Sequence, residues 1–103
     1  MADEVRMVPK VHLREEVADF ARWMELQMRG KDPVVRSGDW KHWKQMLLSD
    51  LLQRLRRNTD ELHEMVTAGE EPSRATRKAA DLANIANFIA LRIARGDRLE
   101  PEG

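Results

Sequence analysis

Between Lys78 and Ala94 the chain reads KAADLANIANFIALRIA, an apolar stretch in which Asp81, Asn84 and Asn87 recur at intervals of three. Alanine, leucine and isoleucine over this length, with no proline or glycine, specify a helix, and a helix apolar on nearly every side is a buried one. An acid or amide buried there without a partner costs roughly 2–7 kcal/mol. The fold must therefore bring cover to this segment and a partner, metal or ligand to Asp81.

The rest of the composition suits a small helical protein. The 103 residues amount to one domain, and a core of that size gains from association, so an oligomer is expected. Hydrophobic residues make up 42% and charged residues 35%, with aromatics at only 5%, which argues against disorder throughout. Eighteen basic and eighteen acidic residues cancel, so no global field recruits nucleic acid or an anionic membrane. Cysteine is absent, which excludes disulfides and thiolate metal sites and agrees with a cytoplasmic location. No segment approaches the ~18 uninterrupted apolar residues of a membrane span, and the first ten residues lack a signal-peptide core.

Along the chain, residues 1–10 read as a flexible arm closed by Pro9, residues 11–96 as a single helical domain and residues 97–103 as a disordered tail. The first helix is expected from about Val11, with Leu13, Val17, Phe20, Ala21, Met24 and Met28 on its apolar face and Gly30 as its stop. The following loop is locally basic, with five Lys or Arg against two Asp from Arg29 to Lys44 and with Trp40 and Trp43 among them. Either the tryptophans anchor the next helix to the core, or the cations meet phosphate and an aromatic face meets a base. Ser37 or Asp39 offers a cap for the second helix. That helix carries the row Trp40, Trp43, Leu47, Leu51, Leu55, Leu62 and Met65 and closes at Gly69. Asn58 interrupts the row, and Asn58 with Glu61 has capping-box spacing that could mark a break, although the row stays in phase on both sides. Pro72 and Ser73 open the third helix, which ends at Gly96.

Two helices joined by a short turn are antiparallel neighbours, so Glu61 near the end of the second faces Asp81 near the start of the third. Carboxylates from facing helices hold hard divalent cations, and Mg²⁺ takes one or two of them together with waters and substrate phosphates. The chain here resembles the all-α nucleotide pyrophosphohydrolases of the MazG and dimeric dUTPase group, above all the short phage and prokaryotic MazG-like proteins. The resemblance rests on Phe20 and Ala21 with Met24 and Glu25, on Lys31 and Asp32, on Gly38 to Trp40, on Glu61 and Leu62, and on Ala80-Asp81-Leu82-Ala83-Asn84. It implies an antiparallel MazG-like bundle completed as a homodimer or a dimer of dimers. It also implies Mg²⁺- or Mn²⁺-dependent cleavage of a nucleoside triphosphate to the monophosphate and pyrophosphate. Glu61 and Asp81 would then be catalytic metal ligands with Glu64 in support, and Lys31, Trp40, Lys44, Lys78 and Asn84 would contact substrate.

The family's acids come as Glu-x-x-Glu on one helix and Glu-x-x-Asp on the next, each pair sharing a helix face. Here Asn58 stands at the first acid position and Lys78 at the third, leaving Glu61 and Asp81. A second register, with Glu61 and Glu64 as the first pair, restores an acid but moves the motif toward the turn. A fixed ammonium three residues from Asp81 disfavours a nearby divalent cation. Three outcomes stay open: a weakened enzyme, a metal-free nucleotide binder with Lys78 on phosphate, and an ion-pair cluster of Lys78, Glu61 and Asp81. His12, His42 and His63 read as surface residues, and Arg54, Arg56 and Arg57 as the solvent side of the second helix. Asn87 reads as an interhelical polar pair. Nucleic-acid binding through the arginines is disfavoured by the zero net charge.

Overall fold

The computed structural model describes residues 10–36 and 42–99, and these form three helices, α1 (Glu15–Arg36), α2 (Leu48–Thr67) and α3 (Pro72–Ala94), with no strand among the described residues. None of the helices is long and apolar enough to cross a membrane.

Helix α1 begins and ends later than its sequence pattern suggests. Lys10 to Arg14 are exposed and irregular, and the first helical bond runs from the Ala18 N–H to the Arg14 carbonyl at 2.9 Å. Glu15 and Glu16 lie in the first turn, where carboxylates complement the positive end of the helix dipole. At the other end Gly30 does not stop the helix, and Pro33 lies inside it. A glycine in a helix costs only about 0.5–1 kcal/mol against alanine. Pro33 sits in the last turn, where its missing N–H removes a single helical bond. Tertiary contacts hold this segment in place: Gln27 and Lys31, on either side of Gly30, both donate to Asp81 of α3, at 3.1 and 2.8 Å.

Helix α2 begins at Leu48 rather than near Trp40. Trp43 to Gln45 form a turn closed by the Gln45 N–H on the His42 carbonyl at 2.9 Å. The carbonyls of Trp43, Lys44 and Met46, which a longer helix would use for its own bonds, instead accept from Arg92 and Arg95 of α3. Leu47 therefore stands at the N-cap position with no side-chain cap. The expected caps Ser37 and Asp39 lie outside the described residues. The break considered at Asn58 is absent, and α2 runs through it unbroken with the Asn58 amide donating to the Arg54 carbonyl at 2.8 Å.

Helices α2 and α3 end in the same way. Gly69 (φ +70°) and Gly96 (φ +98°) take the left-handed conformation. Each N–H reaches back three residues, to Val66 and Ile93, and the residue after each glycine reaches back five, to Met65 and Arg92. This is the Schellman closure that the glycines predict. Pro72 opens α3 in the position where its missing N–H does no harm.

The turn at Ala68–Glu71 folds α3 back along α2, so that Asn58 and Glu61 meet Lys78 while Trp43 and Met46 meet Arg92. Between them Met46, Leu48, Leu51, Ile85 and Ile89 form the core, edged by Trp43 and Leu55. Helix α1 crosses the other side of α3, where Arg77 lies over the Trp23 ring and Asn84 donates to the Met24 carbonyl at 2.9 Å. Its expected apolar face is only partly covered: Phe20, Met24 and Met28 are half-buried, but Leu13 and Val17 remain 50% and 51% exposed. Asn87 is also exposed, facing away from both neighbours rather than pairing between helices.

Replacing Gly69 or Gly96 with alanine tests these closures. A Cβ at either position meets no atom within 4 Å, so the whole penalty is backbone strain. Each variant is expected to lose roughly 1–2 kcal/mol in urea unfolding, with Gly69→Asn losing less because asparagine tolerates this conformation. Equal stability of Gly69→Ala and the parent would rule the closure out.

Candidate functional site

Helices α1 and α2 both pack on α3, and among the described residues their backbones do not approach each other closely. The wedge between them is a cavity of about 450 Å³. Its size is that of small-molecule sites in general. Met28, Met46, Leu51 and Ile85 give it an apolar floor, and Trp43 and Phe88 an aromatic wall. The two rings stack at 4.9 Å with 4° between their planes. Charged groups from all three helices meet at its rim.

The rim is organised in ion pairs. Lys78 Nζ donates to Glu61 Oε2 at 2.5 Å and reaches Asn58 Oδ1 at 3.5 Å. Lys31 Nζ donates to Asp81 Oδ1 at 2.8 Å, and Gln27 adds a second donor to the same oxygen at 3.1 Å. Asp81, the acid whose partner the sequence left open, is thus met by α1. Its side chain is 16% exposed and that of Lys31 58%, so the acid is enclosed while the lysine is hydrated and free to move.

The residues singled out in the sequence separate into two groups. Lys31, Asn58, Glu61, Lys78, Asp81 and Asn84 all border the cavity. Asn84 is 3% exposed, with its NH₂ on the Met24 carbonyl and its Oδ1 buried without a partner among the described residues. Its amide therefore ties α1 to α3. Glu64, one turn beyond Glu61, is exposed and stands outside the cavity lining. Lys44 is also exposed, with Nζ 5.6 Å from the centre of the Trp43 ring. Trp40 lies outside the described residues.

Two sequence expectations need correction. His42 is half-buried and borders the cavity beside Trp43, because the turn at residues 43–45 brings it inward, whereas His12 and His63 are exposed as expected. Arg54 and Arg57 also border the cavity, while Arg56 faces solvent. Arg54 lies four residues before Asn58 and Arg57 four before Glu61, on the face turned toward the wedge.

A divalent cation at these acids would compete with ammonium groups of the chain. Each of the two already holds an ammonium of this chain, and Mg²⁺ would have to displace one while lying beside the other. Among the described residues no three His, Cys, Asp or Glu side chains come together as a group able to hold a metal ion.

Sequence reasoning missed Arg92. It is 7% exposed, and its guanidinium donates to the carbonyls of Trp43 (2.9 Å) and Met46 (2.6 Å) and to Asp97. Arg95 joins it on Asp97 and on the Lys44 carbonyl at 3.1 Å. The tail expected to be disordered from Asp97 is thus anchored at that residue. Arg92 falls in phase with Ile85 and Ile89, the signal that marks it as inward-facing. Through the Trp43 carbonyl it holds the aromatic wall in place.

Compared with protein-family models, curated proteins and solved structures, the chain matches none of them.

Removing the guanidinium leaves two buried carbonyls and a carboxylate short of donors. Arg92→Ala is expected to lose about 3 kcal/mol in urea unfolding, with Arg92→Lys recovering part of it. Hydrogen bonds from Arg95 and then Arg92 hold Asp97 at about 2, below its ordinary 3.8. Its contribution is therefore complete above the ordinary value and lost as pH falls toward about 2. Unfolding free energy measured between pH 5 and about 2 should fall less steeply in Asp97→Asn than in the parent. Parallel profiles would show that Asp97 carries no linkage.

Proposed function

We propose that this chain is a MazG-like nucleotide-binding protein that takes a nucleoside triphosphate into the interhelical cavity. One observation carries the reading. Lys31, Asn58, Glu61, Lys78 and Asp81 are spread over fifty residues of sequence, each stands at a position marked by the resemblance, and all five border one cavity. The apolar floor and the stacked Trp43–Phe88 wall suit a base, and the cations of the rim suit phosphates. With Asn58 and Lys78 in place of two acids, binding without turnover is the favoured form of this function.

Hydrolysis of the family's type, dependent on Mg²⁺ or Mn²⁺, is the second reading. It is favoured by Glu61 and Asp81 bordering the same cavity from facing helices. In that case the metal would be held by these two carboxylates and would supply charge neutralisation at the phosphates and an activated water. A second copy of the chain, as a homodimer or dimer of dimers, would cover the half-exposed apolar row of α1. No membrane or nucleic-acid partner is part of either reading.

Quenching of tryptophan fluorescence by common ribo- and deoxyribonucleoside triphosphates, with Trp43→Phe as the control, measures binding. Pyrophosphate release with Mg²⁺ or Mn²⁺ measures turnover. The expected result is saturable binding with no release, and release gained by the double variant Asn58→Glu with Lys78→Glu. Release by the unaltered chain that vanishes in Asp81→Ala would establish the second reading, and no binding or release with any triphosphate would end both.

A further inference from the structure

Lys78 is held between two oxygen-bearing side chains one helical turn apart on α2, Glu61 at 2.5 Å and Asn58 at 3.5 Å. That is the kind of position a cation takes between two ligands on one helix face. Its side chain is only 23% exposed, so its charge is poorly screened. An ammonium has three donors, and two of them face Glu61 and Asn58, leaving one for a ligand in the cavity.

The second ammonium is poised differently. Lys31 is largely hydrated, and its partner Asp81 keeps the Gln27 donor at 3.1 Å. Lys31 can therefore turn from Asp81 to a phosphate oxygen without leaving that carboxylate unpartnered. Around the cavity the cations Lys31, Arg54, Arg57 and Lys78 face the carboxylates Asp32, Glu61 and Asp81. Among the described residues the rim thus carries one more positive than negative charge.

We infer that Lys78, assisted by Lys31, takes the place of the divalent cation in this cavity, so that polyphosphate binds through built-in ammonium groups without metal and Mg²⁺ opposes binding. The inference rests on the nucleotide reading above and gives it a sign. Mg²⁺ weakens binding for two reasons. Chelation at the phosphates removes the negative charge that Lys78 and Lys31 recognise, and the chelated ion is itself repelled by an ammonium that its tether keeps in the site.

The test is calorimetric titration of ATP and of inorganic tripolyphosphate into the full chain, once in EDTA and once in excess Mg²⁺. Binding of both ligands is expected in EDTA, weakened several-fold by Mg²⁺. Lys78→Met and Lys31→Met should each weaken the EDTA binding by about tenfold, the scale of one lost charge-assisted contact. In Lys31→Met the Gln27 donor still holds Asp81, which keeps α1 attached whatever Lys78→Met does, and circular dichroism checks both. In the double variant Asn58→Glu with Lys78→Glu the metal dependence should reverse, with Mg²⁺ now strengthening binding. If the unaltered chain binds ATP only with Mg²⁺, or binds it in EDTA indifferently to both lysine variants, the nucleotide reading survives and this inference is overturned. If neither ligand binds in either buffer, the nucleotide reading itself falls.

Discussion

Helix α3 is the one surface that both other helices share. Helix α2 packs along one side of it and α1 crosses the other, and among the described residues the backbones of α1 and α2 stay apart. The apolar run from Ala79 to Ala94 is what permits this, since an ordinary amphipathic helix offers a single stripe. Two helices leaning on a third leave a wedge between them, and the wedge is the cavity. Its chemistry follows from the same arrangement, because Lys78, Asp81 and Asn84 of α3 border that wedge. Lys78 meets α2 and Asp81 meets α1, while Asn84 holds the α1 backbone at the depth that lets Gln27 and Lys31 reach the acid.

Much of this was legible in the chain because its punctuation is local. Pro72, Gly69 and Gly96 act through their own backbone preferences, which no neighbour needs to supply, and they stand where the pattern puts them. The meeting of Glu61 with the start of α3 follows from the short turn between the helices. Other features depended on contacts that a linear reading does not contain. Gly30 was read as a stop because its cost is local, but the bonds from Gln27 and Lys31 to Asp81 that carry α1 through it span about fifty residues. The start of α2 was read too early because Trp43 fits the apolar row, whereas Arg92 and Arg95 claim the carbonyls that would extend it. Arg92 itself went unseen because a basic residue near a helix end is usually at the surface, and only its register with Ile85 and Ile89 points inward.

Acids and cations at the rim alternate as Glu61 with Lys78 and Asp81 with Lys31. A site built to hold a divalent ion concentrates negative charge and relies on the ion to neutralise it. Here each of the two acids is matched by an ammonium of the chain, and the charges are distributed over all three helices. The pairs therefore bridge elements, α2 to α3 and α3 to α1, and they help to set how far apart the walls of the cavity stand. Partly enclosed pairs of this kind add little net stability, but they do select one arrangement of the helices over others.

The way α1 is attached also bears on its dynamics. Its apolar row is only partly covered and, among the described helices, it packs on α3, whereas α2 and α3 share the core, a tight turn and the Arg92 knot. The chain is thus divided into a hairpin of two helices that forms a cooperative unit and an outer helix that can detach from it. Local opening of such a unit requires less free energy than global unfolding. Backbone amides of α1 should accordingly exchange with solvent by a route that leaves the hairpin protected, and each excursion of α1 opens the cavity along its full length. Undocking of one helix is then a route of access to the interior.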